Sequence, residues 1–167
     1  MLAIQAATMP ENHLAEVLAL NNANTPHVNA LTVQELQALI DQAIGYQVLI
    51  SEEGRLAGFV LLIGEGQSYQ SLNYRWFSEN MNDFLYVDRI VVAPEFRGEG
   101  VADQLYLWAK TTAQGHGVSW LTCEVNLKPP NQRSLAFHHK QGFREIAQQQ
   151  TEGGQKTVSL MKAQSND

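Results

Sequence analysis

The chain has 167 residues, with 11 lysines and arginines against 17 acidic residues, and its net charge is −6. Binding of nucleic acid needs a basic face, so this balance argues against nucleic acid as the main partner. The charge weakly favours a cationic substrate, but plain solubility is the better explanation of it. Apolar residues make up 44% of the sequence, and with this length they predict a single globular domain over residues 1–167.

Two classes of protein are disfavoured by simple features of the sequence. Cys123 is the only cysteine, which excludes an internal disulfide and a cysteine-rich metal site, and no metal is expected. The first residues lack the basic segment and long apolar run of a signal peptide, and no apolar run is long enough to span a bilayer. We therefore expect a cytoplasmic protein with no membrane partner.

The first part of the chain predicts one strand and two helices. Residues 2–8 are short and apolar, which favours a strand, and residues 11–21 show helical spacing. The asparagine-rich residues 21–31 predict a loop. Thr32 and Glu35 have the spacing of a capping box, so the second helix is expected to begin there.

A hairpin and an aromatic-rich segment follow. Residues 46–52 and 55–63 flank Gly54, which favours two strands joined by a tight turn. Residues 64–82 predict a loop, and its aromatic content needs a reason if the loop is exposed. The loop either covers the sheet as a hydrophobic lid or forms a substrate pocket. Its candidate substrate-binding residues are Tyr69, Asn73, Tyr74 and Trp76.

The second half of the sequence alternates strands with helices. The predicted strands are residues 84–92, 118–125, 143–150 and 155–162, and the predicted helices are residues 99–114 and 131–141. A strand–helix–strand–helix unit with hairpins on each side implies an α/β fold, in which a mixed sheet has helices on its faces.

A strand that runs into a glycine-containing loop and then a helix carries the most informative motif. The unpaired backbone N–H groups of the helix start, with the positive end of the helix dipole, make a site for an anion such as a pyrophosphate. Gly98 and Gly100 allow a ligand to approach the backbone closely. A Walker A loop would need a Gly-Lys-Ser/Thr sequence, and a dinucleotide fingerprint would need a third glycine, so neither fits.

The motif resembles the pyrophosphate loop R/Q-x-x-G-x-G/A of the GNAT (Gcn5-related N-acetyltransferase) superfamily. The matching residues are Arg97, Gly98, Glu99, Gly100, Val101 and Ala102. The preceding segment, residues 90–96, matches the family's hydrophobic-x-Val-x-Pro-x-aromatic pattern, and residues 131–143 match its N-x-x-A-x-x-F-Y-x-x-x-G-F pattern with two exceptions. Ser134 stands for the alanine, and His138 stands where the family usually has tyrosine. The resemblance implies the GNAT fold, a mixed central sheet of about seven strands with helices on both faces.

The same resemblance implies acetyl-CoA as cosubstrate and a set of residues that hold it. Backbone groups of Ile90, Val91 and Val92 are expected to bind the pantetheine arm. Backbone N–H groups from Arg97 to Ala102 are expected to bind the pyrophosphate. Asn131 and Ser134 are expected to line the far wall of the cleft.

Direct attack of a neutral amine on a thioester needs a base for the ammonium and an acid near the thiolate. By resemblance Glu124 is the first candidate for the base, and its alternative is an exposed or salt-bridged strand residue. Asp88 is the second candidate, and its alternative is to position Arg89 or a substrate ammonium. His138 is the candidate acid because histidine titrates near neutrality, and its alternative is a helix-face residue without a role.

The expected function is transfer of an acetyl group from acetyl-CoA to a primary amine of a small molecule or amino acid. Acetylation of a peptide or protein N-terminus is the alternative within the class. A non-catalytic acyl-CoA-binding module on the same fold is the alternative outside it, because fold alone does not decide activity. Many members of the family form dimers, so a homodimer is also considered.

Overall fold

The part of the chain that the structure, a computed structural model, describes contains seven strands and five α-helices. That part is residues 4–7, for which only the backbone is described, and residues 13–166. The strands are β1 (Ile4–Ala7), β2 (Gly45–Ser51), β3 (Leu56–Ile63), β4 (Phe84–Val92), β5 (Trp120–Lys128), β6 (Arg144–Thr151) and β7 (Lys156–Gln164). The helices are α1 (Leu14–Ala23), α2 (Val33–Gln42), α3 (Leu72–Asn80), α4 (Val101–Gly115) and α5 (Gln132–Lys140).

The strands form one mixed sheet in the order β1-β2-β3-β4-β5-β7-β6. β1 is a four-residue edge strand beside six longer ones. β4 and β5 run parallel, with Tyr86 beside Thr122, while β5–β7 and β6–β7 are antiparallel. A mixed sheet connected through helices confirms the predicted α/β class.

The chain divides into two compact units, and β4 and α4 each contribute to both. The first unit contains Met1–Ile63 and Asp88–Ala109. Its centre is β3, every residue of which is buried, because Leu56–Ile63 is apolar throughout and pairs with β2 in an antiparallel ladder. Gly58 lets neighbouring groups approach this strand closely, since a Cβ there would lie 2.8 Å from the carbonyl oxygen of Val91 and 2.9 Å from Cγ1 of Val101.

The second unit contains Gly64–Val87 and Lys110–Asp167. Here α3 packs an aromatic cluster onto the start of β4, with ring centroids of Tyr74 and Tyr86 5.5 Å apart and those of Phe77 and Phe84 6.2 Å apart. All four of these rings are almost completely buried, so the cluster is part of the core of this unit.

The helix α3 corrects the prediction of a loop over residues 64–82. Ser71 caps the helix by accepting a hydrogen bond from the N–H of Tyr74 at 3.2 Å. Tyr74 and Phe77 are then one turn apart and both are buried. The helix is stabilised by burial of this aromatic face. The polar residues around Tyr74 and Phe77 make the amphipathic pattern too weak to recognise in the sequence.

Most other boundaries agree with the sequence prediction to within a few residues. The prediction of β4 is confirmed at both ends, and the capping box of Thr32 and Glu35 is confirmed with bonds of 2.9 and 3.1 Å. The first helix begins at Leu14, and the start of its predicted range, residues 11–12, lies outside the described residues, as do the ends of the first predicted strand. Within residues 4–7 and 13–166, no helix is long and apolar enough to cross a membrane.

Candidate active site

The predicted anion-binding loop of the first unit is a turn followed directly by a helix. After β4, residues Pro94–Phe96 form a short 3₁₀ turn that is anchored by the buried ring of Phe96. Gly98 and Gly100 then adopt φ angles of 82° and 80°. This left-handed conformation is unfavourable for residues with a Cβ, which explains why both positions are glycine.

Backbone donors are concentrated where α4 begins. The N–H groups of Val101 and Ala102 lie in the first turn of the helix, where no carbonyl of a preceding turn can accept from them. The first hydrogen bond along the helix is donated by the N–H of Gln104 to the carbonyl of Gly100 at 3.0 Å. The amide of Arg97 instead donates to the carbonyl of Pro94 at 3.3 Å, so the loop offers its donors from Gly98 onward. Backbone donors grouped in this way at the start of a helix are suited to binding an anionic group.

The side chains of this loop contribute less than its backbone. Arg97 is exposed and can add a positive charge. Glu99 adds a negative one, and its Oε2 is buried with no hydrogen-bond partner among the described residues. Attraction for a phosphate must therefore come mainly from the amides and the helix N-terminus.

Asp88, the second candidate base, is held in a buried ion pair in the first unit. Its Oδ2 lies 2.5 Å from Nε of Arg89, and the two side chains are 3% and 6% exposed. Nη1 of Arg89 also donates to Oδ1 of Asn21 at 2.9 Å and to the carbonyl of Asn29 at 3.2 Å. This arrangement favours the alternative that Asp88 positions Arg89 over a role as base.

Glu124, the first candidate base, lies half-buried on β5 in the second unit. The hydroxyl of Tyr86 donates to Oε2 of Glu124 at 2.6 Å. Tyr86 pairs in register with Thr122, so Glu124 lies one step further along the same face of the sheet. The carboxylate is thus held by a buried donor and still retains access to solvent, as a base that takes a proton from a substrate requires.

His138 is buried on the inner side of α5 and is hydrogen-bonded within its own helix. Its Nδ1 lies 2.7 Å from the carbonyl oxygen of Ser134 and 3.2 Å from Oγ of the same residue. The ring packs edge-on against Phe137 and Phe143, with centroids 5.6 and 5.3 Å away. Burial lowers the pKa of His138, the hydrogen bond to Ser134 raises it in part, and the neighbouring His139 lowers it further.

The position of His138 favours a structural role over that of a general acid. A carbonyl oxygen only accepts, so Nδ1 carries the proton of the neutral ring and donates it to Ser134. A ring that burial keeps neutral is a weak proton donor near pH 7. Ser134 and Asn131, predicted to contact the cosubstrate, also serve the helix locally, because Oδ1 of Asn131 caps α5 by accepting from the N–H of Ser134 at 3.4 Å.

The four candidate substrate-binding residues lie on or beside α3 and differ in exposure. Tyr74 is 1% exposed, and its hydroxyl donates to the carbonyl of Gly64 at 2.6 Å, so it belongs to the core. The ring of Tyr69 packs edge-on against that of Tyr74 at 5.5 Å. Asn73 accepts a hydrogen bond from Gln149 at 2.9 Å, and the half-buried Trp76 contacts Phe77. These contacts favour the interpretation of this segment as a cover of the sheet.

Tyr86 is the one residue at this site that the sequence did not single out. Its partner Glu124 is 38 positions away, and only the parallel pairing of β4 with β5 brings the two together. The sequence does contain one signal for Tyr86: it lies two residues before Asp88 in the predicted strand, so the two side chains are expected on the same face of the sheet.

Comparison with known proteins identifies the family of the chain. The sequence matches the acetyltransferase (GNAT) family over residues 14–143, which is most of the chain. No curated protein matches it.

Solved structures of acetyltransferases share the fold at low sequence identity. Nourseothricin acetyltransferase is 22% identical with a TM-score of 0.70, over 98% of this chain and 99% of that one. The N-acetyltransferase of the alanine of ribosomal protein S18 from Escherichia coli is 16% identical with a TM-score of 0.69, over 97% and 94%. A chain of the NatC complex bound to Gag peptide and CoA is 13% identical with a TM-score of 0.77, over 96% and 98%. The chain belongs to the GNAT family of acetyltransferases.

Proposed function

We propose that this acetyl-CoA-dependent N-acetyltransferase moves the acetyl group to a primary amine of a small molecule or amino acid, with Glu124 as the general base. The observation that carries the proposal is the half-buried carboxylate of Glu124, held at 2.6 Å by the hydroxyl of Tyr86 on a strand of the family's sheet. A module that only binds acyl-CoA has no need of a carboxylate fixed in this way.

The chemistry assigns the base a single task. An aliphatic amine is protonated near pH 7, and its nitrogen has no lone pair for attack until that proton leaves. Glu124 takes the proton, the nitrogen forms a bond to the acetyl carbon, and the bond from that carbon to sulfur breaks. The electron pair leaves with sulfur as the CoA thiolate, and the second proton that the nitrogen loses in becoming an amide passes to this sulfur or to water. Because the thiolate is a good leaving group, a positioned acid matters less than the base.

The loop of the first unit supplies the binding of the cosubstrate in this proposal. Amides of residues 98–102 bind the diphosphate of acetyl-CoA, since Gly98 and Gly100 leave the backbone uncovered and α4 begins there. Backbone groups of Ile90, Val91 and Val92 bind the pantetheine arm, and Asn131 with Ser134 contacts the cosubstrate from α5.

Acceptors of two kinds remain in competition. The net charge of −6 suits a cationic amine, and nourseothricin acetyltransferase shares the fold. A peptide N-terminus is the second candidate, favoured by the structural likeness to the NatC chain, whose structure holds a Gag peptide.

A turnover assay separates these possibilities. Release of CoA thiol is followed with acetyl-CoA and a panel of diamines, amino acids and short peptides with free N-termini. Turnover with small amines supports the proposal, and turnover restricted to peptides replaces it with the second candidate. CoA binding without turnover on any acceptor would identify a binding module instead.

The cosubstrate loop is tested by Gly100→Val with Gly54→Val as the matched control. Both glycines have φ near 80°, and a Cβ added at either position would have no atom within 4 Å, so valine imposes similar backbone strain at each. Gly54 lies in the turn between β2 and β3 and is not part of residues 97–102. Calorimetry should show CoA affinity abolished in the first variant and retained in the second. Equal affinity in the two folded variants would refute the loop assignment.

A further inference from the structure

We propose that Tyr86 is a positioning residue for the general base: its hydroxyl fixes the carboxylate of Glu124 and sets the pH at which that carboxylate accepts a proton. The proposal rests on the proposed function, because it acts through Glu124.

The hydrogen bond between the two residues has the geometry of a strong one. A carboxylate only accepts, so the phenol is the donor, and 2.6 Å is the length of a charge-assisted O–H···O bond. Tyr86 is 1% exposed, which keeps water from competing for the hydroxyl. A surface hydrogen bond between flexible side chains would lack both properties.

The ring of Tyr86 is itself held firmly, so its hydroxyl is a fixed point. It packs edge-on against Tyr74 at 5.5 Å and at a tilt against Phe77 at 5.9 Å, both from α3. α3 is tied in turn to the preceding segment, because the hydroxyl of Tyr74 donates to the carbonyl of Gly64 and accepts from the N–H of Gln67. The rings of Tyr74 and Phe77 therefore restrict where the hydroxyl of Tyr86 can lie.

Two consequences for the base follow. A glutamate side chain has three rotatable bonds, and fixing one carboxylate oxygen selects the rotamer before substrate arrives, which lowers the entropic cost of reaching the reactive geometry. A hydrogen bond donated to a carboxylate also stabilises its charged form. Tyr86 therefore keeps Glu124 deprotonated to a lower pH than a carboxylate at the same place without this donor.

The neighbouring side chains of β7 on this face of the second unit are the same in wild type and in a Tyr86 variant. Lys162 of β7 pairs in register with Thr122, and its ammonium lies over the ring of Trp120, 4.1 Å from the centroid. Directly opposite Glu124 on β7 is Leu160, which does not titrate. A difference in pH dependence between variants of Tyr86 therefore reports the hydroxyl.

The experiment compares Tyr86→Phe with Tyr74→Phe. Each variant removes one hydroxyl from the same buried cluster and keeps the ring, and only the first touches Glu124. For Tyr86→Phe we expect kcat to fall roughly tenfold with little change in the KM for acetyl-CoA, and the acidic limb of the kcat/KM profile to move up by roughly half to one pH unit. For Tyr74→Phe we expect a loss of stability to urea with the acidic limb unmoved.

Glu124→Gln distinguishes failure of this proposal from failure of the proposed function. If Glu124→Gln keeps wild-type turnover, the base assignment is wrong and the role of Tyr86 is refuted with it. If Glu124→Gln is deficient but Tyr86→Phe has the wild-type kcat and acidic limb, only the role of Tyr86 is refuted. A Tyr86→Phe variant that loses stability and activity while its acidic limb stays in place would show a structural role alone, and would also overturn the proposal.

Discussion

The guanidinium of Arg89, in the middle of β4, donates a hydrogen bond of 2.9 Å to the side-chain oxygen of Asn21, near the end of α1. The amide of Asn21 in turn donates to the carbonyl of Asn29 at 3.0 Å, and Arg89 reaches the same carbonyl at 3.2 Å. The carboxylate of Asp88 pairs with Nε of Arg89. The resulting buried network of Asp88, Arg89, Asn21 and Asn29 joins β4, α1 and the loop between α1 and α2 in the first unit. Its charges are removed from water and are compensated by each other.

Replacing Arg89 by Met should be strongly destabilising. The variant keeps the volume and apolar stem but removes the ion-pair partner of the buried Asp88 carboxylate, and loss of one partner of a buried pair costs about 3–5 kcal/mol. Urea denaturation measures the free energy of unfolding. The control is Glu95→Gln, which breaks the exposed pair with Arg55 and should change stability by less than about 1 kcal/mol. Equal stabilities of the two variants would show that the buried network contributes little.

Replacing Glu124 by Gln should reduce kcat by roughly two to four orders of magnitude, the usual contribution of a positioned general base. CoA affinity should stay within about twofold of wild type, because the substitution preserves volume and the loop of the first unit is untouched. Steady-state kinetics with the best acceptor of the panel measures the first quantity and calorimetry the second. Glu145→Gln, at an exposed position on β6, is the control for loss of one negative charge. A fall in kcat of less than threefold would move the role of base elsewhere.

Features that depend on neighbouring residues in the sequence were predictable, and those that depend on register were not. The apolar run of β4 and the capping box at Thr32 are local, and both were predicted correctly. α3 was missed because its buried face consists of Tyr74 and Phe77 alone, which is too short a pattern to show helical spacing. The contact of Tyr86 with Glu124 arises from the pairing of parallel strands, which no local pattern specifies.

The burial of His138 shows the same limit at the level of one side chain. The motif placed this residue correctly on a short helix, but the face that the helix turns inward depends on its packing. Its neighbour His139 is exposed, so two adjacent histidines of identical chemistry have opposite environments. The expectation of a general acid was drawn from the family's tyrosine at this position, and the buried, hydrogen-bonded ring gives it no support.

A Cβ at Gly58 should destabilise the first unit. It would overlap the carbonyl oxygen of Val91 and the side chain of Val101, the first residue of α4, at 2.8 and 2.9 Å. Overpacking of this kind costs about 1–3 kcal/mol, and displacement of Val101 should also weaken CoA binding. Urea denaturation and calorimetry of Gly58→Ala measure the two effects.

The matched control for Gly58→Ala is Gly115→Ala at the end of α4. A Cβ there meets nothing within 4 Å, and alanine is the better helix former, so stability should be unchanged or slightly higher. If Gly58→Ala equals Gly115→Ala in both stability and CoA affinity, the close approach of α4 to β3 has no energetic consequence.

His138 should make the protein less stable as the pH falls below neutrality. Burial holds the pKa of His138 below the value of about 6.5 that it has in the unfolded chain. Between those two values the unfolded state binds more protons than the folded state, so the free energy of unfolding decreases as pH is lowered and no penalty exists above 6.5.

Replacing His138 by Phe removes this proton uptake. It costs about 1 kcal/mol at pH 7.5 for the lost hydrogen bond to Ser134, but the ring stays between Phe137 and Phe143. Urea denaturation from pH 7.5 to 5 should therefore give a shallower loss of stability for His138→Phe than for wild type, whereas His139→Gln, which alters the exposed neighbour, should follow the wild-type slope much more closely. Parallel plots of unfolding free energy against pH for His138→Phe and wild type would show that the pKa of this ring is the same in the folded and unfolded states. If His138→Phe also kept kcat within threefold of wild type, the histidine would be confirmed as a structural residue, and a fall of tenfold or more with CoA affinity intact would restore it as the acid.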